Sequence, residues 1–175
     1  MAEIKRQFEV NFFSQIFLLQ KFVPIMRLQG GGKIIVTTSM MGRISMPFLS
    51  FYSSSKWALE GLLENMRYEL KGTNVKLAAL APGIIRTRFF KDETKSKDFG
   101  DNFYKSKFEG ALNNINNGSE KGASPEMVAQ KVWKIANSDG NKFRYIVDFM
   151  AYFLIYHRLL TPLNFNQYII SKIVK

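Results

Sequence analysis

Apolar residues recur at spacings of three and four along the first segment of the chain, which predicts a helix over Ala2–Leu28. The positions that carry this spacing are Phe8, Phe12, Ile16, Leu19 and Val23. Because Phe13, Phe17 and Leu18 make a second side apolar, we expect this helix to be buried on more than one side. A run of three glycines at residues 30–32 ends it.

Short aliphatic and β-branched runs predict three buried strands, at Lys33–Thr38, Val75–Leu80 and Phe143–Val147. A wide apolar face between the first two runs predicts a helix over Phe51–Leu70, and Gly72 just after it is the residue that stops the helix. This alternation of helices and strands is typical of an α/β fold with a parallel sheet and helices on both faces. Three strands are few for such a sheet, so we expect part of it to be missing.

The segment after the second strand has a different pattern. Arg86–Gly122 is polar, rich in Lys, Asn and Gly, and without clear periodicity, which indicates a long loop that is either functional or mobile. The tripeptide Ser124-Pro125-Glu126 then supplies a helix cap, a first-turn proline and an acid near the positive helix end. A helix should therefore begin there and run to about Ala136.

The residue types that are present exclude several kinds of site. The 175 residues contain no cysteine and one histidine, which excludes disulfides, thiolate metal sites and a histidine-based zinc site. The net charge is +11, with an excess of +6 in residues 1–87 and +5 in residues 88–175, so neither half is a basic arm. With no nucleic-acid motif present, a solvated basic surface is the better interpretation, and it could help to attract a phosphate-bearing cofactor.

The tail, residues 149–175, is aromatic and aliphatic, and Pro162 should divide it into two helices. Its longest apolar run, Phe149–Tyr156, is far shorter than the roughly 20 residues that span a bilayer. The N-terminal sequence is charged and lacks the apolar core of a secretory signal. We therefore expect a cytoplasmic protein, with peripheral membrane contact through the tail as an open alternative.

Tyr52 and Lys56 are four residues apart on a predicted helix, so both side chains lie on one face. A nearby ammonium group favours the phenolate and lowers the pKa of a tyrosine. Tyr52 could then act as a general acid towards a carbonyl or as a general base towards an alcohol. Alone the pattern is weak, because a surface tyrosine beside a lysine is common.

Three further motifs accompany this pair. Ser39 follows the first strand, 13 residues before Tyr52, and Asn11 stands in a Val-Asn context 28 residues before Ser39. The turn Pro82-Gly83-Ile84-Ile85-Arg86-Thr87 follows the second strand. With these motifs in this order and spacing, residues 2–148 resemble the short-chain dehydrogenase/reductase family.

The resemblance implies a Rossmann-like, doubly wound parallel sheet, here truncated to about three strands with flanking helices. Residues 1–148 would be the catalytic portion of one domain, and residues 149–175 its aromatic helical tail. The implied reaction transfers hydride between NAD or NADP and an alcohol or ketone. The resemblance also implies a homo-oligomer that pairs through the two long helices.

The resemblance assigns catalytic roles to four residues. Tyr52 would exchange the proton, and Lys56 would lower the pKa of Tyr52 and bind the nicotinamide ribose. Ser39 would donate to the substrate oxygen. Asn11 would hold a water of a proton relay.

Cofactor contacts are implied for six residues: Tyr52, Lys56, Pro82, Gly83, Ile85 and Thr87. Each residue also has a plain structural interpretation, such as a strand stop at Pro82 or a backbone contact from Asn11. The combination favours the site. The family's Gly-x-x-x-Gly-x-Gly phosphate turn is not in this sequence, and Gly30–Gly32 leads into a strand instead of a helix.

Because the phosphate turn is missing, we expect the chain by itself to bind dinucleotide poorly and to be inactive. NAD and NADP remain open alternatives. Aromatic residues of the predicted loop suggest a bulky apolar substrate: Phe89, Phe90, Phe99, Phe103, Tyr104 and Phe108. The alternative functions are a non-catalytic dimerisation partner and a membrane-surface protein.

Overall fold

The computed structural model describes residues 1–87 and 102–173. In these ranges, helices and strands follow one another in the alternating order that the sequence predicts. The elements are α1 Ala2–Phe8, a π-helical turn Glu9–Phe13, α2 Ser14–Leu28, β1 Gly32–Thr37, a 3-10 turn Met40–Gly42, α3 Ser50–Glu69, β2 Val75–Ala81, α4 Asn102–Glu120, α5 Pro125–Ala136, β3 Arg144–Ile146, α6 Phe149–Leu160 and α7 Leu163–Ile173.

The described strands form one parallel sheet in the order β1-β2-β3. Gly32 pairs with Val75 and the register continues to Thr37 with Leu80, while β3 pairs with the last three residues of β2. The predicted α/β fold with about three parallel strands is confirmed. Because β2 has a neighbour on each side, six of its seven residues are buried, whereas the two outer strands are only partly buried.

Helices cover both faces of the sheet. On β2, Leu77 and Ala79 pack towards α2 and α3, whereas Ala78 and Leu80 pack towards Ile135 of α5. This division follows from the alternation of side chains along a strand. A third cluster joins the 3-10 turn to the tail, and its buried members are Met40, Met41, Ile44, Ala151, Leu154, Ile155 and Ile170.

The first helix is confirmed, since α1, the π-helical turn and α2 follow one another without a break over Ala2–Leu28. Its expected burial on more than one side is wrong. Leu19 is its one buried residue, and Phe13 and Phe17 are exposed. Only one side of this helix faces α3 and the sheet, and no described element covers the other side.

The predicted loop at Arg86–Gly122 is wrong for residues 102–120, which form α4. Ala111, Ile115 and Ser119 are buried at spacings of four, so α4 does have a buried stripe. Small and polar side chains make up much of that stripe, which conceals its period in the sequence. Phe89, Phe90 and Phe99 lie outside the described residues.

The remaining boundaries agree with the sequence to within one or two residues. α5 begins at Pro125, and the Ser124 hydroxyl accepts from the backbone N–H of Met127 at 3.3 Å. Pro162 separates α6 from α7. Within residues 1–87 and 102–173, none of the helices combines the length and the hydropathy that a bilayer span requires.

Candidate active site

Ser39 lies where β1 ends and the 3-10 turn begins. Its side chain is buried, and its Oγ accepts from the backbone N–H of Met41 at 3.1 Å. The next residue, Met40, donates its N–H to the carbonyl of Pro82 at 2.8 Å. The turn after β1 is therefore held against the turn after β2, at the carboxyl edge of the sheet, where open α/β folds bind ligands.

Tyr52 and Lys56 project from the first two turns of α3, which begins at Ser50. The Lys56 ammonium lies 5.9 Å from the centroid of the Tyr52 ring and donates to the Thr37 carbonyl at 3.3 Å. Lys56 thus reaches from α3 to the end of β1. In general, a position in the first turn of a helix and a nearby cation both favour a negative charge.

Asn11 lies at the centre of the π-helical turn, a local widening that is frequent at functional sites. Its side-chain amide donates to the Ser55 hydroxyl at 3.1 Å, and that hydroxyl donates to the Tyr52 carbonyl at 2.7 Å. Asn11 therefore contacts α3 between Tyr52 and Lys56.

The turn after β2 is fixed at both ends. Gly83 donates its N–H to one carboxylate oxygen of Asp148 at 2.8 Å, and the other oxygen caps α6 by accepting from Ala151 at 2.9 Å. A Cβ atom on residue 83 would overlap this carboxylate, so a side chain there would displace Asp148 from these hydrogen bonds. Two residues on, Ile85 forms a β-bridge with Ala123.

The later part of this turn is less enclosed. Ile84 is half-buried against the cluster that packs beside Tyr52, whereas Thr87 is exposed at the end of the first described range. Of the residues predicted to contact the cofactor, Pro82, Gly83 and Ile85 follow directly after β2 and so lie at the carboxyl edge of the sheet.

A buried hydrogen-bond network beside Lys56 was not predicted from the sequence. Glu60, one helical turn after Lys56, is 1% exposed and accepts from the Thr38 hydroxyl at 2.7 Å and from Arg144 at 2.6 and 2.9 Å. These contacts join α3, the end of β1 and β3. The one available signal was an acidic residue on the apolar face of a helix, and its partner Arg144 is 84 residues away in sequence.

Apolar side chains surround Tyr52. It packs against the cluster that includes Met40, Met41 and the inner face of α6. Phe48, four residues before Tyr52, has a positive φ of 64°, which is a strained conformation for an aromatic residue. Its ring makes an edge contact with Phe108 of α4 at 5.7 Å. No pattern in the sequence indicates that Phe48 takes this conformation.

The described residues fit one end of a dinucleotide but not its phosphates. The turns after β1 and β2 and the Tyr52–Lys56 pair could bind a nicotinamide ribose. The glycine turn cannot cradle a pyrophosphate, because the N–H groups of Gly30, Gly31 and Gly32 already donate to the carbonyls of Arg27, Met26 and Asn74. The described residues hold no cluster of acidic or histidine side chains that could bind a metal ion.

A cleft of about 760 Å³ lies at the opposite, amino-terminal edge of the sheet. Lys33, Arg67 and Lys76 line it, and each donates to backbone carbonyls between Ile135 and Asn141. These cations anchor the connection between α5 and β3. The cleft is separate from Tyr52, and the contacts of its three cations hold this connection in place.

Two curated relatives match this chain over most of its length. The uncharacterized oxidoreductase YbbO of Escherichia coli is 32% identical over 161 residues, which cover 92% of this chain and 56% of the relative. A 3-ketodihydrosphingosine reductase of Bacteroides thetaiotaomicron is 30% identical over 143 residues, which cover 81% of this chain and 53% of the relative. The chain therefore spans little more than half the length of these relatives.

Solved structures show the same arrangement of elements. A short-chain dehydrogenase from Burkholderia cenocepacia in complex with NADP has a TM-score of 0.69 at 18% identity, with 98% of this chain and 59% of that chain covered. A short-chain dehydrogenase/reductase from Burkholderia phymatum in complex with NAD has a TM-score of 0.69 at 22% identity, with 87% and 55% covered. These likenesses establish the Rossmann-like fold.

A family model described as short chain dehydrogenase matches residues 1–98 of the chain. The matched region is more than half of the sequence, and it contains Asn11, Ser39, Tyr52 and Lys56 in the order and spacing described above. The chain belongs to the short-chain dehydrogenase/reductase family.

Proposed function

We propose that this chain carries the proton-transfer portion of an NAD- or NADP-dependent oxidoreductase that interconverts alcohols and ketones. The observation that carries this proposal is the position of Lys56, which lies beside the Tyr52 ring and donates to the end of β1 next to Ser39. These contacts support a site in which a phenol, a cation and a buried hydroxyl act together at the carboxyl edge of the sheet.

Tyr52 is the proton donor in reduction and the proton acceptor in oxidation. Its position in the first turn of α3 and the ammonium of Lys56 both stabilise the phenolate that remains after donation. The Ser39 oxygen accepts from Met41, so its own proton can donate to the substrate oxygen as negative charge develops there. Asn11, through Ser55, supports the turn of α3 that carries both Tyr52 and Lys56.

The nicotinamide end of NAD or NADP supplies or accepts the hydride when it is bound. Tyr52 and Lys56 would hold its ribose, and the turn after β2 would hold the ring through Pro82, Gly83, Ile85 and Thr87. The solved relatives, one with NADP and one with NAD, support a nicotinamide cofactor of either kind.

A bulky apolar alcohol or ketone is the substrate class that the surroundings of Tyr52 favour. Met40, Met41, Ile84 and the Phe48–Phe108 pair lie on that side of the molecule. The similarity to a 3-ketodihydrosphingosine reductase supports the same class.

The second candidate is a catalytically inactive fragment that acts as a dimerisation partner. Two observations favour it: the hydrogen-bonded glycine turn described above, and the exposed apolar side of α2, where Phe17 and Phe22 are each more than half exposed. This side, continued by α3, would then pair with a second copy.

The proposal is tested first by tyrosine ionisation in the purified chain. NMR of ring-labelled tyrosine can follow the ionisation of each phenol with pH. Of the seven tyrosines, one should ionise at a lower pH than the others. Its signal should disappear in Tyr52→Phe and shift to higher pH in Lys56→Met, because the stabilising cation is lost. Tyr68→Phe removes an exposed phenol near the other end of α3 and should leave the low signal unchanged.

Activity separates the two candidates. With NADPH and a long-chain ketone, any turnover of the chain should fall by about 10²- to 10⁴-fold in Tyr52→Phe, the usual contribution of a general acid. A low-ionising Tyr52 without turnover, together with a stable dimer, would select the inactive dimerisation partner. Turnover that Tyr52→Phe leaves intact would contradict the proposed mechanism.

A further inference from the structure

We propose that the outer face of the tail is a docking surface for an anionic lipid membrane. This inference goes beyond the proposed reaction and does not depend on it. The surface, called the tail patch, consists of exposed apolar residues of α6 and α7. Its members are Phe149, Tyr152, Phe153, Tyr156, Leu160, Leu163, Phe165 and Tyr168.

The helix α6 is apolar on two opposite sides. Its inner side, with Ala151, Leu154 and Ile155, is buried against the cluster beside Tyr52. Its outer residues from Phe149 to Leu160 recur at spacings of three and four and are exposed, up to 81% and 82% at these two ends. Packing within the described chain therefore accounts for one side of α6 only.

Ring contacts hold the tail patch together across the turn at Pro162. His157 lies between Phe153 of α6 and Phe165 of α7, with ring centroids 5.7 and 5.5 Å apart. Tyr152 and Tyr156 contact each other at 4.3 Å. Because these rings already pack against one another, docking would cost less side-chain entropy than it would for isolated exposed rings.

The charge of the tail indicates the kind of partner. Residues 149–175 contain no Asp or Glu, and they contain Arg158, Lys172 and Lys175. The ammonium of Lys172 lies 5.4 Å from the centroid of the Tyr168 ring, at the edge of the patch. Aromatic rings flanked by cations are typical of segments that lie in the headgroup region of anionic bilayers.

A second copy of the chain fits this patch less well. In a two-fold dimer the same patch contacts itself, so Lys172 at the edge of one patch would approach the Lys172 of the other copy. No acidic side chain of residues 149–175 could pair with these cations, and like charges across an interface disfavour association. Anionic headgroups remove this repulsion. Since no described helix can span a bilayer, the tail would lie in the interface.

Vesicle flotation of the complete chain tests the proposal, since protein aggregates do not float. We expect binding to vesicles of phosphatidylcholine with phosphatidylserine, and weaker binding to phosphatidylcholine alone or at high salt. Replacement of the two most exposed residues, Phe149→Ser with Leu160→Ser, should reduce flotation at least about tenfold. Lys172→Gln should reduce it only on the anionic vesicles.

The matched control is Phe17→Ser with Leu28→Ser, two exposed apolar residues of α2 that lie outside the tail patch. It should float like the original chain, and thermal unfolding should show that both double variants remain folded. Equal flotation of the tail variant, or equal binding to neutral and anionic vesicles, would overturn the proposal. The proposal would also be overturned if the original chain did not float but sedimented as a dimer, and if the tail variant sedimented as a monomer.

Discussion

At the scale of single residues, the site depends on a buried carboxylate that contacts no substrate in the proposed reaction. Glu60 receives hydrogen bonds from Thr38 and Arg144, which fixes the end of β1 against α3. Gly42 approaches the same place so closely that a Cβ atom there would overlap the Glu60 side chain and the Lys56 carbonyl. The turn that carries Ser39 is thus held to the helix that carries Lys56.

Glu60→Gln should destabilise the chain by about 3 kcal/mol, because it leaves the mostly buried Arg144 side chain without a counter-charge. The free energy of unfolding from urea titration, at an unchanged m-value, measures this. Glu64→Gln, which disrupts an exposed pair with Arg43 at 4.0 Å, is the matched control and should cost about 1 kcal/mol or less. A Glu60 variant as stable as this control would contradict the structural role of the network.

The double variant Glu60→Gln with Arg144→Met removes the uncompensated cation. It should therefore be more stable than Glu60→Gln alone, since replacing a whole buried pair costs less than breaking it. Additive losses from the two substitutions would show that the two side chains do not interact.

At the scale of elements, caps and turns locate the helices that surround the site. Ser124 caps α5, and its hydroxyl, together with backbone hydrogen bonding and Arg86, lowers the pKa of Glu126 below its ordinary value of 4.5. A carboxyl whose pKa is lowered by folding stabilises the fold above its unfolded pKa. That stabilisation is lost as the pH falls through its folded pKa.

Ser124→Ala should destabilise the chain by about 1 kcal/mol near neutral pH, the usual cost of losing a helix cap. The difference from the original chain should shrink below pH 4.5, because the Glu126 contribution that Ser124 supports is absent from the variant at every pH and is then lost from the original chain as well. Thermal or urea unfolding over this pH range measures it. Ser124→Thr retains the hydroxyl and should stay close to the original stability at every pH.

Elements with a strong period were predictable, and those whose burial depends on distant partners were not. The face of α3 and the cap of α5 follow from local spacing, and both agree with the structure. The helix α4 was missed because small residues such as Ala111 and Ser119 make up its buried stripe. The exposed side of α2 was misjudged because periodicity shows which side is apolar, and not whether another element covers it.

The candidate site divides in the same way. Short sequence intervals connect Ser39 with Tyr52 and Tyr52 with Lys56, so the sequence locates these residues. The role of Glu60 on α3 depends on its hydrogen bond from Arg144 on β3, and the role of Asp148 depends on its hydrogen bond from Gly83. Such pairings depend on the sheet order, which a single sequence specifies weakly.

At the scale of the whole molecule, the chain spans little more than half the length of its relatives. In the proposed function it would hold only the nicotinamide end of a dinucleotide. We expect the purified chain to bind NADH and NADPH weakly, without saturation at micromolar concentrations of dinucleotide. Fluorescence titration measures this, with Lys56→Met as the variant that should weaken it further. Saturable binding at micromolar or lower concentrations would show that other residues hold the phosphates.

The π-helical turn at Glu9–Phe13 affects how α1 is rotated about the helix axis relative to α2. Each residue of an α-helix advances about 100° around the axis, so a turn with one extra residue rotates α1 by that amount relative to α2. Deleting one residue between Glu9 and Phe13 would restore a regular helix, yet α1 would then present a different side to α3. The π-helical turn therefore allows α2 to present one side to the sheet while α1, which leads into Asn11, presents an independently chosen side to α3.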